Sequence, residues 1–305
     1  MSSWDPRALA VLERLEAAGH QAVFVGGCVR DLLRGQPPHD YDAATSALPE
    51  EILSACDSLR CVPTGLKHGT VTVLSDGLPV EVTTFRREGQ YTDHRHPDQV
   101  AFTRSLAEDL ARRDFTINAM AWSPSGLSDP FGGRGDLARG TIRCVGDGDR
   151  RFREDALRIL RGLRLSAQLD FLLEEQTAAA IRHSTPLLQY VAWERISAEL
   201  LRLLCGPGAG RVLLAFPEVI GQILPELVPA VGFIQYSPNH RFDVYTHSVK
   251  TLEGVRPEPA LRLAALLHDT GKPSCFTLDP EGIGHFYGHE EESARLADCA
   301  ARRLR

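Results

Sequence analysis

Apolar and polar positions along the chain follow two regimes. Up to about residue 145, short apolar runs alternate with turns, whereas from Phe152 onward the spacing is helical nearly to the end. Residues 5–18 predict an amphipathic helix, and strands are expected near 22–25, 40–44, 70–74 and 79–85. The run Ala22-Val23-Phe24-Val25 leads at once into Gly26, Gly27 and Cys28-Val29-Arg30-Asp31-Leu32-Leu33, an order that reads as strand, tight turn, helix. Gly65-Leu66-Lys67-His68-Gly69 reads as a basic turn ahead of a strand. The polar, poorly periodic stretch 86–104 is expected to be a mobile loop. Helix resumes over 105–112, where Ser105 and Glu108 have capping-box spacing. Residues 129–137 predict a turn-rich connector before a short strand at 141–145. The fold class that follows is α+β: a head with a small mixed sheet over 1–145, a helical neck over 146–230 and a further helical region over 231–305. No internal repeat is visible.

At 305 residues the chain exceeds one ordinary core, which is why several domains are expected. No apolar stretch reaches the length of a membrane span, and the start Met1-Ser2-Ser3-Trp4-Asp5-Pro6 lacks signal-peptide character, so a cytoplasmic protein without a membrane partner is expected. Seven cysteines at 28, 56, 61, 144, 205, 275 and 299 lack metal-type spacing and read as thiols rather than staples. The net charge of −6 does not advertise nucleic acid, yet lysine occurs only at 67, 250 and 272 and the arginines bunch, which leaves room for a local basic groove.

Chemistry concentrates at four places. Gly26 and Gly27 let backbone approach a ligand, and the N–H groups opening the next helix, which carries Arg30, suit phosphate. Asp40 and Asp42, if on a strand, point to one side about 6.6 Å apart along the chain, a reach that suits Mg²⁺ and phosphate oxygens. Glu81, alone among β-formers in the segment 79–85, is the third carboxylate. Asp-x-Asp is also the pattern of a capped turn; the ordered set favours metal. In Arg112-Arg113-Asp114-Phe115-Thr116-Ile117-Asn118, the guanidinium forks suit a triphosphate and Asp114 a ribose hydroxyl, with Asn118 close by; an exposed helix end is the plainer alternative. Asp155, Arg158 and Arg161 are three apart on a helix, so they offer acceptors and donors to a base edge or form an intrahelical salt bridge. Glu194-Arg195 reads as support for neighbouring helices.

These motifs, in this order from about 22 to 200, resemble the class II tRNA nucleotidyltransferases, the CCA-adding enzymes, and the related bacterial poly(A) polymerases. Gly26-Gly27-Cys28-Val29-Arg30-Asp31 with Asp40-Tyr41-Asp42 is similar to the family's metal motif, and Arg112-Arg113-Asp114 to its ribose motif. Glu154-Asp155-Ala156-Leu157-Arg158 resembles the motif that serves as a protein template for CTP and ATP, and Glu194-Arg195 the last neck motif. The segment 63–70 and the loop around Asp93-His94-Arg95 are also similar, that loop being associated in the family with the switch from C to A addition. The resemblance implies a metal-dependent nucleotidyltransferase whose catalytic groups are Asp40, Asp42 and Glu81, whose cofactor is Mg²⁺ and whose partners are CTP, ATP and the tRNA 3′ acceptor end. It also implies a tRNA-holding tail, expected beyond residue 305; the chain departs from this by ending in Arg302-Arg303-Leu304-Arg305 inside what reads as an unfinished helix, so either it is a fragment or the tRNA platform is short. A-only addition and poly(A) synthesis are neighbouring activities.

Residues 240–292 add His247, then His268-Asp269 after an apolar helix, then His285 and His289. Mixed nitrogen and oxygen donors at these spacings suit a transition metal or Mg²⁺. The arrangement resembles the HD phosphohydrolase domain, which implies a second divalent-metal site at His247, His268, Asp269 and His289 and hydrolysis of phosphomonoesters or 2′,3′-cyclic phosphates. The alternative for His268-Asp269 is a structural helix cap. A noncatalytic RNA-binding protein is disfavoured, because clustered acids facing a polyanion oppose binding unless a metal intervenes.

Overall fold

The computed structural model describes residues 4–88, 100–237 and 241–305, and its described residues divide into two compact units meeting in sequence between Glu154 and Asp155. The first unit is built in the order α1 (Pro6–Ala17), β1 (Ala22–Val25), α2 (Gly27–Leu33), β2 (Tyr41–Thr45), α3 (Pro49–Ala55), β3 (Arg60–Gly65), β4 (Thr70–Ser75) and β5 (Leu78–Thr84). It continues with β6 (Arg86–Glu88), β7 (Val100–Phe102), α4 (Leu106–Ala111), β8 (Ala121–Ser123), β9 (Gly126–Ser128), α5 (Gly133–Arg139), β10 (Thr141–Ile142) and α6 (Gly148–Glu154).

A seven-stranded mixed sheet in the order β3-β4-β5-β2-β1-β8-β9 organises this unit. Every residue of β1 is buried, which explains its unbroken apolar run: the strand is covered on both faces. On one face Phe24 packs with Trp4, Val11, Leu12 and Leu15 of the N-terminal segment and with Val71, Val73, Val80 and Val82 of the neighbouring strands. On the other, Val23 and Val25 meet Ala44, Phe85, Leu110 and Ala121. Asp5 caps α1 by accepting the Arg7 N–H at 2.9 Å. The strands pair antiparallel except β2 with β5, which run parallel and set Asp42 opposite Glu81.

The strands expected near 22–25, 40–44, 70–74 and 79–85 and the first helix appear within a residue or so of their predicted ends, the strand expected at 141–145 is confined to Thr141–Ile142, and the α+β class holds. Three differences have physical reasons. β3 is an edge strand with an irregular register between Val62 and Gly65, and Pro63 there breaks the alternation that would announce it. The β8–β9 hairpin is too short for a periodic signal. The connector at 129–137 contains α5: Asp129 accepts the N–H groups of Gly133 and Arg134, at 2.7 and 2.9 Å, and so opens a helix among glycines.

The second unit comprises α7 (Leu157–Leu169), β11 (Leu172–Leu173), α8 (Glu175–Ser184), α9 (Trp193–Leu204), α10 (Ala209–Ala215), α11 (Pro217–Ile223), α12 (Val244–Gly254), α13 (Pro259–Leu267), β12 (Thr277–Leu278), β13 (Gly284–His285) and α14 (His289–Arg303). It is helical apart from short strands, of which β12 and β13 pair as a hairpin inside the region expected to be wholly helical. α7 and α9 pack together, with Arg164 of one paired to Glu199 of the other. Tyr245 of α12 donates to the Leu213 carbonyl of α10 at 2.8 Å. Among the described residues no helix is long and apolar enough to cross a membrane, and no cysteine is in a disulfide.

A Cβ on Gly133 would overlap the carbonyl oxygen of Thr116, so α5 packs directly on the 3₁₀ turn Thr116–Asn118 only because this residue lacks a side chain. Gly133→Ala is therefore expected to cost about 1–3 kcal/mol by overpacking, read as a lower urea midpoint. An unchanged midpoint would show that α5 sits back without penalty.

Candidate active site

The glycine turn, the acids of β2 and β5 and the chain after α4 meet at one end of the sheet in the first unit. Gly26 has φ +74 and caps α2 without a side chain, leaving the first N–H groups of that helix uncovered by any cap. A Cβ at Gly26 would stand 3.3 Å from Arg113 Nη1 and 3.6 Å from Asp42 Oδ2, so backbone, guanidinium and carboxylate crowd one spot. Gly27 lies beside the Arg30 guanidinium. β2 begins at Tyr41, so Asp40 stands exposed in the bend before the strand rather than on it. Asp42 is partly buried, and burial first, then the charges of Glu81 and Asp40, push its carboxyl above the usual range, while Arg113 pulls it back. Both other acids therefore act on Asp42.

That donor set fits a hard divalent cation. The groups are all oxygen, they repel, and Asp42 resists ionising where it is, so a cation between them removes a cost the fold otherwise carries.

Sequence reasoning missed the residue that holds the arginines. Asp109 is buried at 1% side-chain exposure; its Oδ1 accepts from Arg112 Nε and Nη2 at 3.0 and 2.8 Å and from the Arg86 N–H at 3.2 Å, and its Oδ2 accepts from Arg113 Nη2 at 3.2 Å. The signal was present as an acid three and four residues ahead of two arginines. A second buried acid, Asp136, joins Thr116 at 2.6 Å with Arg139 and Arg143 and steadies the turn that follows Asp114. Asp114 is buried and accepts the Phe115 N–H at 2.8 Å. Asn118 accepts from Arg30 Nη1 at 2.9 Å, and Arg30 also pairs with Asp31 at 2.8 Å, so α2 is tied to this turn.

In the second unit, Asp155 precedes α7 rather than lying on it. Its Oδ1 accepts the Leu157 N–H at 3.1 Å and its Oδ2 accepts from Arg195 Nη2 at 2.9 Å, so of the Glu194-Arg195 pair it is Arg195 that supports a neighbouring element. Arg158 is buried and Arg161 half-buried on α7. The loop around Asp93-His94-Arg95 lies outside the described residues.

Further along this unit, ligand atoms of His247, His268 and Asp269 all lie within 4.8 Å of one another. His289 Nε2 is 3.5 Å from Asp269 Oδ1. His268 and His289 each give Nδ1 to a backbone carbonyl, of Ala265 at 2.8 Å and Phe286 at 2.7 Å. A carbonyl only accepts, so Nδ1 carries the proton in both and Nε2 is turned toward the acid. The hydrogen bond to Asp269 raises the His268 pKa. Lys272 Nζ occupies Asp269 Oδ2 at 2.8 Å and Gln235 Oε1 at 2.9 Å. His285 instead pairs with Asp279 at 2.8 Å. The described residues after Asp155 form one unit, so no distinct HD-type domain separates from the helices before it.

The first unit is thus a mixed sheet carrying acids beside a glycine turn, and the second is largely helical. Residues 22–143 match the poly A polymerase head domain, and residues 170–230 match the probable RNA and SrmB-binding site of polymerase A. A CCA-adding enzyme of Geobacillus thermodenitrificans is 44% identical over 238 residues, 77% of this chain and 58% of that protein. One of Leuconostoc citreum is 52% identical over 235 residues, 77% of this chain and 55% of that protein. The chain thus spans little more than half the length of these relatives. The crystal structure of the Bacillus stearothermophilus CCA-adding enzyme in complex with CTP superposes with a TM-score of 0.70 at 36% identity, covering 99% of this chain and 70% of that one. The chain belongs to the CCA-adding enzyme and poly(A) polymerase superfamily.

Burial alone would raise the Asp109 carboxyl; the Arg112 and Arg113 charges, with hydrogen bonds from Arg112 and the Arg86 N–H, outweigh it and hold the group below its usual value. A depressed folded-state pKa gives stability that is complete above the ordinary carboxylate range and lost as pH falls through it and below. Asp109→Ala is expected to cost about 3–5 kcal/mol near neutral pH, because it strands two arginines. The gap in urea stability between wild type and variant should narrow as pH drops below about 4. A gap independent of pH would contradict this role.

Proposed function

We propose that the protein extends the 3′ end of tRNA without a nucleic-acid template, adding CMP and AMP from CTP and ATP and releasing pyrophosphate. The observation that carries this reading is Asp42 standing beside Gly26 and Arg113, with Glu81 paired opposite it across the sheet and the charge of Asp40 acting on it. It is supported by the names of the relatives and by a neighbour of 36% identity crystallised with CTP and another of 25% with ATP.

In this reading the tRNA 3′ hydroxyl attacks the α-phosphorus, a new P–O bond forms, and the bond to the β-phosphate breaks. Asp40 and Asp42 would hold Mg²⁺, which when bound activates the attacking oxygen and neutralises the departing pyrophosphate. Glu81 orients the hydroxyl and takes part in removing its proton. Gly26 and Gly27 admit the phosphates to backbone N–H groups, and Arg113, with Arg112 held on the same carboxylate, steadies them. Asp114 meets the ribose, while Arg30 and Asn118 fix the turn beneath it. Asp155 and Arg158 select the base by hydrogen bonding, Asp155 aimed by Arg195 and Arg161 adjoining them on α7. We assign the head to 1–145, the base-reading neck to 146–230 and an HD-like region to 231–305, and place the protein in the cytoplasm with its tRNA. A-only addition or poly(A) synthesis would use the same groups.

The second cluster favours a further reading. Asp269 faced by three imidazoles presents mixed nitrogen and oxygen donors with two tautomers already set by backbone carbonyls, which fits a divalent transition metal. His247, His268, Asp269 and His289 would hold it, and it would supply an activated water for hydrolysis of phosphomonoesters or 2′,3′-cyclic phosphates.

Incubating the protein with tRNAs lacking one, two or three terminal nucleotides and each NTP separates these activities. Asp42→Ala should lower incorporation by at least about a thousandfold, as loss of several kcal/mol of metal assistance requires, while sparing any phosphate hydrolysis. Persisting incorporation would end the metal assignment. Asp155→Ala should relax the choice among NTPs by about tenfold or more rather than abolish turnover. Retained selectivity would remove Asp155 from base recognition.

A further inference from the structure

The two arginines pinned on Asp109 do not face the same place. Arg113 turns to Gly26 and Asp42, whereas Arg112 lines a separate cleft of about 180 Å³ with Arg87, Arg150, Arg151, Glu108 and Glu154. We infer that this cleft seats a backbone phosphate of the RNA strand being extended, apart from the triphosphate of the incoming nucleotide; the inference rests on the function proposed above.

Charge is the first argument. Among the described residues the cleft gathers four guanidiniums against two carboxylates in a chain whose net charge is −6. Counting Asp109 with Arg113 leaves five against three. Glu154 is shared between Arg150 at 3.1 Å and Arg151 at 2.7 Å, and Glu108 lies 3.9 Å from Arg87, so the acids space the arginines around the cleft. Arg151 is further fixed by the carbonyls of Val145 and Arg112, at 3.2 and 3.4 Å. Like charges held close by the fold are relieved by an anion, and a planar fork is the donor best matched to phosphate.

Size is the second argument. The volume of 180 Å³ falls below the roughly 300–1,000 Å³ of pockets that enclose a whole small molecule. It suits one phosphate of a polymer whose remainder lies outside. Position is the third: Arg112 and Arg113 are consecutive, with Cα atoms about 3.8 Å apart, and both are pinned on Asp109, so the cleft and the turn at Gly26 are tied through one carboxylate.

Arg87 and Arg150 are exposed, with side-chain values of 66% and 70%, so reversing them spares the core. The full chain and the double variant Arg87→Glu/Arg150→Glu are compared by fluorescence anisotropy with tRNA lacking its terminal CCA across a range of KCl, and by initial rates against CTP. The variant should bind this tRNA about tenfold or more weakly, and the slope of log Kd on log salt should shrink by about 0.7 for each phosphate that is no longer neutralised. KM for CTP should not move, and Arg87→Lys/Arg150→Lys should keep most of the affinity. Equal tRNA affinity and slope in wild type and the glutamate variant overturn the inference, as does a rise in KM for CTP with tRNA binding intact, which would make the cleft a triphosphate site. Normal incorporation with unchanged tRNA affinity sinks the cleft and leaves the proposed function standing. A protein that incorporates nothing, yet loses tRNA affinity on charge reversal, sinks the function and keeps the cleft.

Discussion

The parallel pairing of β2 with β5 is the constraint from which the candidate site follows. It places Asp42 directly opposite Glu81, and the bend before β2 brings Asp40 into the same field. Neighbouring strands are about 4.8 Å apart, so the backbone keeps these two carboxylates close on one face of the sheet. Burial of Asp42 sharpens the conflict. A fold that merely needed stability would place an apolar or oppositely charged residue at one of these positions. The price of keeping acids there makes sense if a cation is part of the working state.

Around this centre the protein uses buried acids to fix arginines. Asp109 divides its two oxygens between Arg112 and Arg113, and Asp136 ties Arg143 and Thr116 beneath the next turn. In the second unit a half-buried acid, Asp155, is paired with Arg195 ahead of α7. A guanidinium already anchored on one side loses less freedom when it meets a phosphate, and pre-organisation of this kind is what binding energy otherwise has to supply. The same logic explains why consecutive arginines serve different neighbours: a carboxylate with two oxygens points them apart.

Much of this was legible in the sequence where a local cause sufficed. β1 announced itself by Ala22-Val23-Phe24-Val25, since a strand covered on both faces has no polar position to confuse the pattern. The glycine turn, the acids and the arginine pair were visible as residue types in order. What could not be read was which strands adjoin: nothing between residues 42 and 81 states that β2 and β5 run parallel, because pairing is decided by the whole sheet. Asp109 escaped for a related reason, as its importance lies in burial that only packing reveals. Asp40 and Asp155 both fell just outside the elements that periodicity assigned them, where caps and bends rather than period set the backbone.

The most direct measurement is a crystal structure with CTP and Mn²⁺ in place of Mg²⁺, read by anomalous scattering at the manganese edge. The expected result is a peak about 2.1 Å from oxygens of both Asp40 and Asp42 and in contact with the nucleotide phosphates, as octahedral oxygen coordination demands. Side chains of Asp40 and Asp42 pointing apart, with CTP bound and the peak elsewhere, would contradict the reading of this site.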